Sequence, residues 1–201
     1  MSGARKANFV RYAMGFNEEK RESFSKFFKE VSSNGFENIN KRNEEGETIL
    51  HQAVEISDYK TVRLLINKGT NVNARDKKGY APLHCAVFAR SLENVKVLIR
   101  GGGEVNATQY INGCTPLHSA CRLGAGIAII KELVKAGANI EQKDKFGKTA
   151  MYYTRKNKKI IEVLENVKMA NKQREFIEKI KTVSESTAAG VKEELVDGKV
   201  L

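Results

Sequence analysis

The chain has 201 residues, 41% of them apolar, no tryptophan and a formal net charge of +11. It contains no run of 18 apolar residues, which argues against a membrane-spanning helix, and its basic first residues, Met1 to Arg11, lack the apolar stretch of a secretory signal. The three cysteines, Cys85, Cys114 and Cys121, form no C-x-x-C pair; an odd, unpaired set argues against a disulfide framework or a zinc site and suits a reducing intracellular setting.

In chain order, Phe24, Phe27, Phe28 and Val31 lie at helical spacing and predict a helix over 18–34. Phe9, Val10, Tyr12, Ala13 and Met14 suggest a shorter helix before it, so 1–35 reads as an N-terminal cap. Gly46, Gly79, Gly113 and Gly147 then recur at intervals of 33, 34 and 34 residues. After the first three come Thr48-Ile-Leu-His-Gln-Ala53, Ala81-Pro-Leu-His-Cys-Ala86 and Thr115-Pro-Leu-His-Ser-Ala120.

These mark three full repeats, 43–75, 76–109 and 110–143. In each, a short helix presents apolar residues inward (Leu50, Ala53 and Val54 in the first), and a second helix adds others, here Val62, Leu64, Leu65 and Ile66. Thr48 sits where a helix start wants a hydroxyl to accept from free N–H groups. Pro82 and Pro116 suit the first helical position, where a missing N–H costs nothing. The hairpin Thr108 to Asn112 is one residue longer than its counterpart between Asn73 and Gly79, and the turn near Gly124 carries an insertion; both changes fall in loops, where length costs little.

A fourth phrase, Asp144-Lys-Phe-Gly-Lys-Thr149-Ala-Met-Tyr-Tyr153, has Tyr152 in the histidine position and about two residues fewer before the next apolar run. It predicts a closing repeat over 144–167. Residues 168–183 read as a basic amphipathic helix with Phe176, Ile177, Ile180 and Val183 on one stripe, and 184–201 as a flexible tail. Charge follows these divisions: +4 over 1–42, +3 over 43–143, +6 over 144–182 and −2 beyond.

The phrase T-P-L-H-x-A at a period near 33 resembles the ankyrin repeat. The resemblance is strong over about 36–165 and weak in the caps. It implies an all-α solenoid of paired antiparallel helices carrying β-hairpin fingers, with helical caps at both ends. It also implies that His51, His84 and His118, the chain's three histidines, are structural, each imidazole bonding the neighbouring finger's backbone. No histidine is then left to activate a thiol. Cys85 and Cys121 read as packing residues, and Cys114, on a finger, as the more exposed and oxidisable one. Gly101-Gly-Gly103 follows a helix instead of preceding one, so it does not aim a helix start at a phosphate. No catalytic, nucleotide-binding or metal motif stands out, so neither enzyme nor cofactor is expected.

Ankyrin-repeat proteins usually bind other proteins through finger tips and the exposed flank of each first helix. Carried onto this chain, that surface comprises Glu44, Glu45 and Glu55 in the first repeat, with Glu47 and Ile56 beside them. Lys77, Lys78, Tyr80 and Phe88 follow in the second, then Tyr110, Ile111, Asn112, Arg122 and Leu123, and finally Lys145, Phe146, Lys148 and Lys156. The set runs from acidic through aromatic to basic, and the centre is expected on the second and third repeats. The implied role is a scaffold, adaptor or inhibitor whose partner is another protein with an acidic region, bound by a chain monomeric when free. Small proteins of this build are similar to host-directed effectors of intracellular microbes and to cytoplasmic or nuclear adaptors. An alternative is nucleic acid or anionic membrane bound by Lys156, Lys158, Lys159, Lys168, Lys172, Arg174, Lys179 and Lys181.

Overall fold

A computed structural model describes residues 18–56, 58–154 and 157–196, with side chains as far as Thr182. The expected first cap helix near 9–14 lies outside the described residues, as do Lys156 and the last five residues.

The described elements are helices: α1 (Glu18–Ser33), α2 (Ile49–Glu55), α3 (Tyr59–Asn67), α4 (Pro82–Phe88), α5 (Leu92–Arg100), α6 (Pro116–Leu123), α7 (Ile127–Lys135), a 3-10 turn (Ala150–Thr154) and α8 (Lys158–Val196). The chain divides into two compact parts, Met1–Ile161 and Glu162–Leu201.

In the first part the short helices pair and stack in chain order. α2 packs on α3, α4 on α5 and α6 on α7. Along the stack α1 meets α2, α2 meets α4, and α4 meets α6, which meets the 3-10 turn; the outer row runs α3, α5, α7. Helices of seven to nine residues are too short to stand alone in water. Each is held by burying one side against the next pair: Leu50, Ala53, Val62, Leu65, Leu83, Val95, Leu98, Leu117, Ile130 and Leu133 are all shielded from solvent. Leu64, expected inward, is 41% exposed. On α3 the buried positions are Val62 and Leu65, three apart, and Leu64 falls a hundred degrees off that line.

The outer row starts where side chains accept from free amides. Asp58 accepts from Lys60 N and Thr61 N, and Ser91 accepts from Asn94 N. Asparagines at a 33-residue interval tie successive repeats together beyond each second helix. Asn40, Asn73 and Asn106 accept through Oδ1 from Asn71 N, Glu104 N and Asn139 N at 2.7, 2.7 and 2.8 Å. Asn73 and Asn106 also donate to the Gly102 and Gly137 carbonyls.

The fingers are turns with almost no strand character. Among the described residues there is one isolated antiparallel bridge, Arg42 to Thr48. The turns are held by side chains. Asn43, Asp76 and Asp144 each accept through Oδ1 from the amides two and four residues on. In the longer third finger Gln109 does this work, its extra methylene reaching Ile111 N and Asn112 N.

In the second part the helix continues to Val196. Residues 184–196, expected as a loose tail, are therefore helical. The segment has few large apolar residues, but it contains no proline, and Glu185, Ala188, Ala189, Glu193, Glu194 and Leu195 favour helix; its one glycine, Gly190, weakens a helix already under way without breaking it.

Candidate protein-binding surface

Successive fingers are linked tip to tip. Lys77 N donates to Glu45 O at 2.9 Å, Tyr110 N to Lys78 O at 3.0 Å, and Lys145 N to Asn112 O at 2.9 Å. Arg42 and Arg75, 33 residues apart, each reach across to the next finger's backbone, at the Arg75 and Thr108 carbonyls. The approach is close. Gly79 has φ +82°, and a Cβ there would come within 2.6 Å of Tyr110 N, so both the backbone angle and the neighbour demand glycine.

The three histidines lie beneath these tips, fully buried. Nε2 of His51 bonds the Tyr80 carbonyl at 3.0 Å, that of His84 the Cys114 carbonyl at 3.2 Å, and that of His118 the Lys148 carbonyl at 3.0 Å. A carbonyl only accepts, so Nε2 carries the proton. Nδ1 then accepts, taking the N–H of Thr48, Ala81 or Thr115 at 3.1–3.3 Å. Each ring is thus held neutral, and burial keeps its pKa below the ordinary value, His84 at about 4.

The threonine hydroxyls also bond the rings, and Thr115 Oγ1 in addition caps its helix, accepting from His118 N at 3.4 Å. Thr48 Oγ1 lies 2.9 Å from His51 Nδ1 and Thr115 Oγ1 2.8 Å from His118 Nδ1, so each hydroxyl points its proton at the ring. The second repeat has Ala81 in this place, and His84 lacks that bond. Ala81→Thr is expected to stabilise the protein by about 1 kcal/mol, one net hydrogen bond, read as a higher unfolding midpoint; a lower midpoint would show that the site cannot hold the hydroxyl.

The thiols are shielded. Cys114, expected to be the exposed one, is 1% accessible, because its finger base is covered by the next finger; its Sγ faces Asp144 Oδ2 at 3.9 Å. Burial pushes its pKa up to about 11 and that of Cys121 to about 12, leaving both protonated and unreactive at neutral pH. Among the described residues no three His, Cys, Asp or Glu side chains converge to hold a metal.

Stacked short helix pairs, tip-linked fingers and a buried histidine in each of three successive repeats make one repeating architecture. The family model of ankyrin repeats (three copies) matches residues 12–109 and 95–175. The chain belongs to the ankyrin-repeat family. A comparison with curated proteins found no match. Ankyrin repeats generally mediate protein–protein interaction and are typically non-enzymatic, and no described helix is long and apolar enough to cross a membrane.

The ankyrin fingers divide the expected contact residues into two groups. In the first repeat, Glu44 and Glu45 are exposed on the tip. Glu55 is withdrawn: its side chain is 11% accessible and is paired with Lys20 of α1. These groups border a hollow of about 250 Å³, also lined by Glu47, Gln52 and Lys78. In the second repeat Lys77 and Lys78 are exposed, but Tyr80 and Phe88 are half-buried, with rings edge to face at 5.2 Å. They pack on each other, and Tyr80 also packs on His84 at 5.7 Å. Both rings are thus partly engaged within their own repeat.

Exposed apolar surface lies one finger further on. Tyr110 is 56%, Ile111 64% and Phe146 63% accessible. Asn112, Arg122 and Leu123 are half-buried; Asn112 Oδ1 accepts from Cys114 N, and the Leu123 carbonyl accepts from Arg90 Nη2 at 2.8 Å. Lys145 is exposed, and its ammonium sits on the Tyr110 carbonyl. Tyr152, absent from the expected set, is 65% accessible, with the Lys148 ammonium 4.5 Å from its ring centre. Its signal was present in the sequence: in the last repeat it replaces a buried histidine, and with no further finger to bond it has no reason to be inside.

Proposed function

We propose that the chain is a non-enzymatic binding module whose partner protein seats on the tips of the third and fourth fingers. Tyr110, Ile111 and Phe146 are three large apolar side chains, each more than half exposed, on tips joined by the Lys145–Asn112 hydrogen bond. Finger tips face water on most sides, so apolar side chains there cost solubility unless a partner covers them. A few such anchors dominate protein interfaces, and rim charges orient the partner. The rim carries Lys77, Lys78, Lys145 and Lys148, all exposed, which suits an acidic region in the partner, while Glu44 and Glu45 on the first finger suit a basic end. Monomeric action as a scaffold, adaptor or inhibitor, in cytoplasm or nucleus or delivered into a host cell, belongs to this same reading.

The observation that carries it is the contrast between neighbouring fingers: the second-repeat aromatics are satisfied internally and those of the third and fourth are not. Tyr110→Ala with Phe146→Ala is expected to weaken a partner captured from cytosol by about 2 kcal/mol, some thirtyfold in Kd. Calorimetric titration of the captured partner reads it, with the melting curve as the control for folding. An affinity unchanged in the double variant overturns the assignment.

A further inference from the structure

The helix of the second part carries a surface that the finger tips do not explain. Within its described side chains Met169 and Phe176 are each 65% exposed, and Ile177 and Ile180 each 53%. At about 100° per residue these four fall within one sector of about 100°. Lys172 and Lys179 lie about 40–60° beyond one edge of that sector, and Arg174 and Lys181 about 40–60° beyond the other. Glu175 and Glu178 lie opposite the stripe. All of these charged side chains are exposed.

We propose that this segment, 168–182, binds the surface of an anionic lipid bilayer, lying in its plane. An interfacial helix buries its apolar face at the headgroup boundary, while basic side chains flanking that face reach the lipid phosphates with their stems still in the apolar layer. The symmetric flanks and the outward glutamates meet that geometry. A second copy of the chain does not: stripe against stripe, parallel or antiparallel, sets Lys172 and Lys179 against basic side chains of the other copy. A partner helix fits less well, because Gln173 sits in the stripe between Met169 and Phe176, where a two-helix seam wants an apolar knob. Nucleic acid uses the charges but leaves the four apolar groups in water.

The test uses the full chain with two vesicle preparations, pure phosphatidylcholine and phosphatidylcholine with about one-third phosphatidylserine. Flotation is expected to show about tenfold or greater preference for the anionic vesicles, since each lysine near such a surface contributes on the order of fivefold. Two variants are expected to lose that preference: Phe176→Ser with Ile180→Ser, which removes the anchor, and Lys172→Glu with Lys179→Glu, which removes one flank and leaves the anchor. All substituted side chains are exposed, and circular dichroism checks that the repeats remain folded. Tyr110→Ala with Phe146→Ala is expected to leave vesicle binding unchanged, which separates this surface from the finger tips. Equal binding to both vesicles, or binding that survives both helix variants, overturns the proposal. So does a dimer or a complex with RNA or an acidic protein that the Phe176→Ser/Ile180→Ser variant abolishes while no vesicle binding is seen.

Discussion

His84→Ala is expected to destabilise the protein by about 3 kcal/mol, the sum of an unfilled cavity and two backbone groups left without partners. The ring is fully shielded and lies where the second repeat meets the third. Its Nε2 proton goes to the Cys114 carbonyl at 3.2 Å, and its Nδ1 takes the Ala81 N–H at 3.2 Å. Alanine restores neither bond, and water has no open route to either group. The loss falls at a junction. In a stack whose repeats touch only their neighbours, stability is approximately a sum of repeat and interface terms, so damage there also loosens the third finger. Denaturant titration measures the change. A variant within about 0.5 kcal/mol of the parent would mean that the imidazole merely fills space which the surroundings can close.

That contact also shows how far the sequence could be read. The spacing of Gly46, Gly79, Gly113 and Gly147 with the repeated phrase marks the stack, because a short helix pair cannot bury its apolar side alone and must recur. The asparagine series 40, 73, 106 and the arginines 42 and 75 were equally periodic, and their role as ties between repeats follows from the same interval. Features that depend on what lies across from a residue were not legible. Tyr80 and Phe88 look like anchors in one dimension, but the seven residues between them bring their rings together. Glu55 looks free until α1 places Lys20 beside it. Cys114 sits on a finger yet under the next one. In each case the deciding neighbour is 8 to 35 residues away in the chain, and only the folded stack brings it alongside. The finger-tip row of Tyr110, Ile111 and Phe146 stood within the expected surface, and the proposal places its emphasis there because Tyr80 and Phe88 are half-buried against each other.

Acidification is expected to remove about 2 kcal/mol of stability between pH 7 and pH 4.5 through His84 alone. Burial lowers its folded pKa to about 4, against about 6.5 in the unfolded chain. The unfolded state therefore binds a proton in this interval that the folded state refuses, so stability is fully present above pH 6.5 and lost as pH falls toward 4. Each unit of displacement is worth about 1.36 kcal/mol, most of it expressed by pH 4.5. His51 and His118 are lowered in the same direction and by the same cause, so they steepen the loss. Glu55 works the other way: burial raises its carboxyl in spite of Lys20, so it gains stability over part of the interval as it protonates. Burial would also raise Asp144, but the Tyr153 hydroxyl and the amides of Lys148 and Phe146 hold its carboxyl below the usual value. Its contribution is lost only at lower pH. Replacing His84 by glutamine removes the titrating group. The slope of unfolding free energy against pH between 6.5 and 4.5 should then fall by nearly one proton relative to the parent. Parallel slopes for the two proteins would show that His84 takes up its proton without unfolding the junction, and would remove the neutral imidazole as the reason the stack holds there.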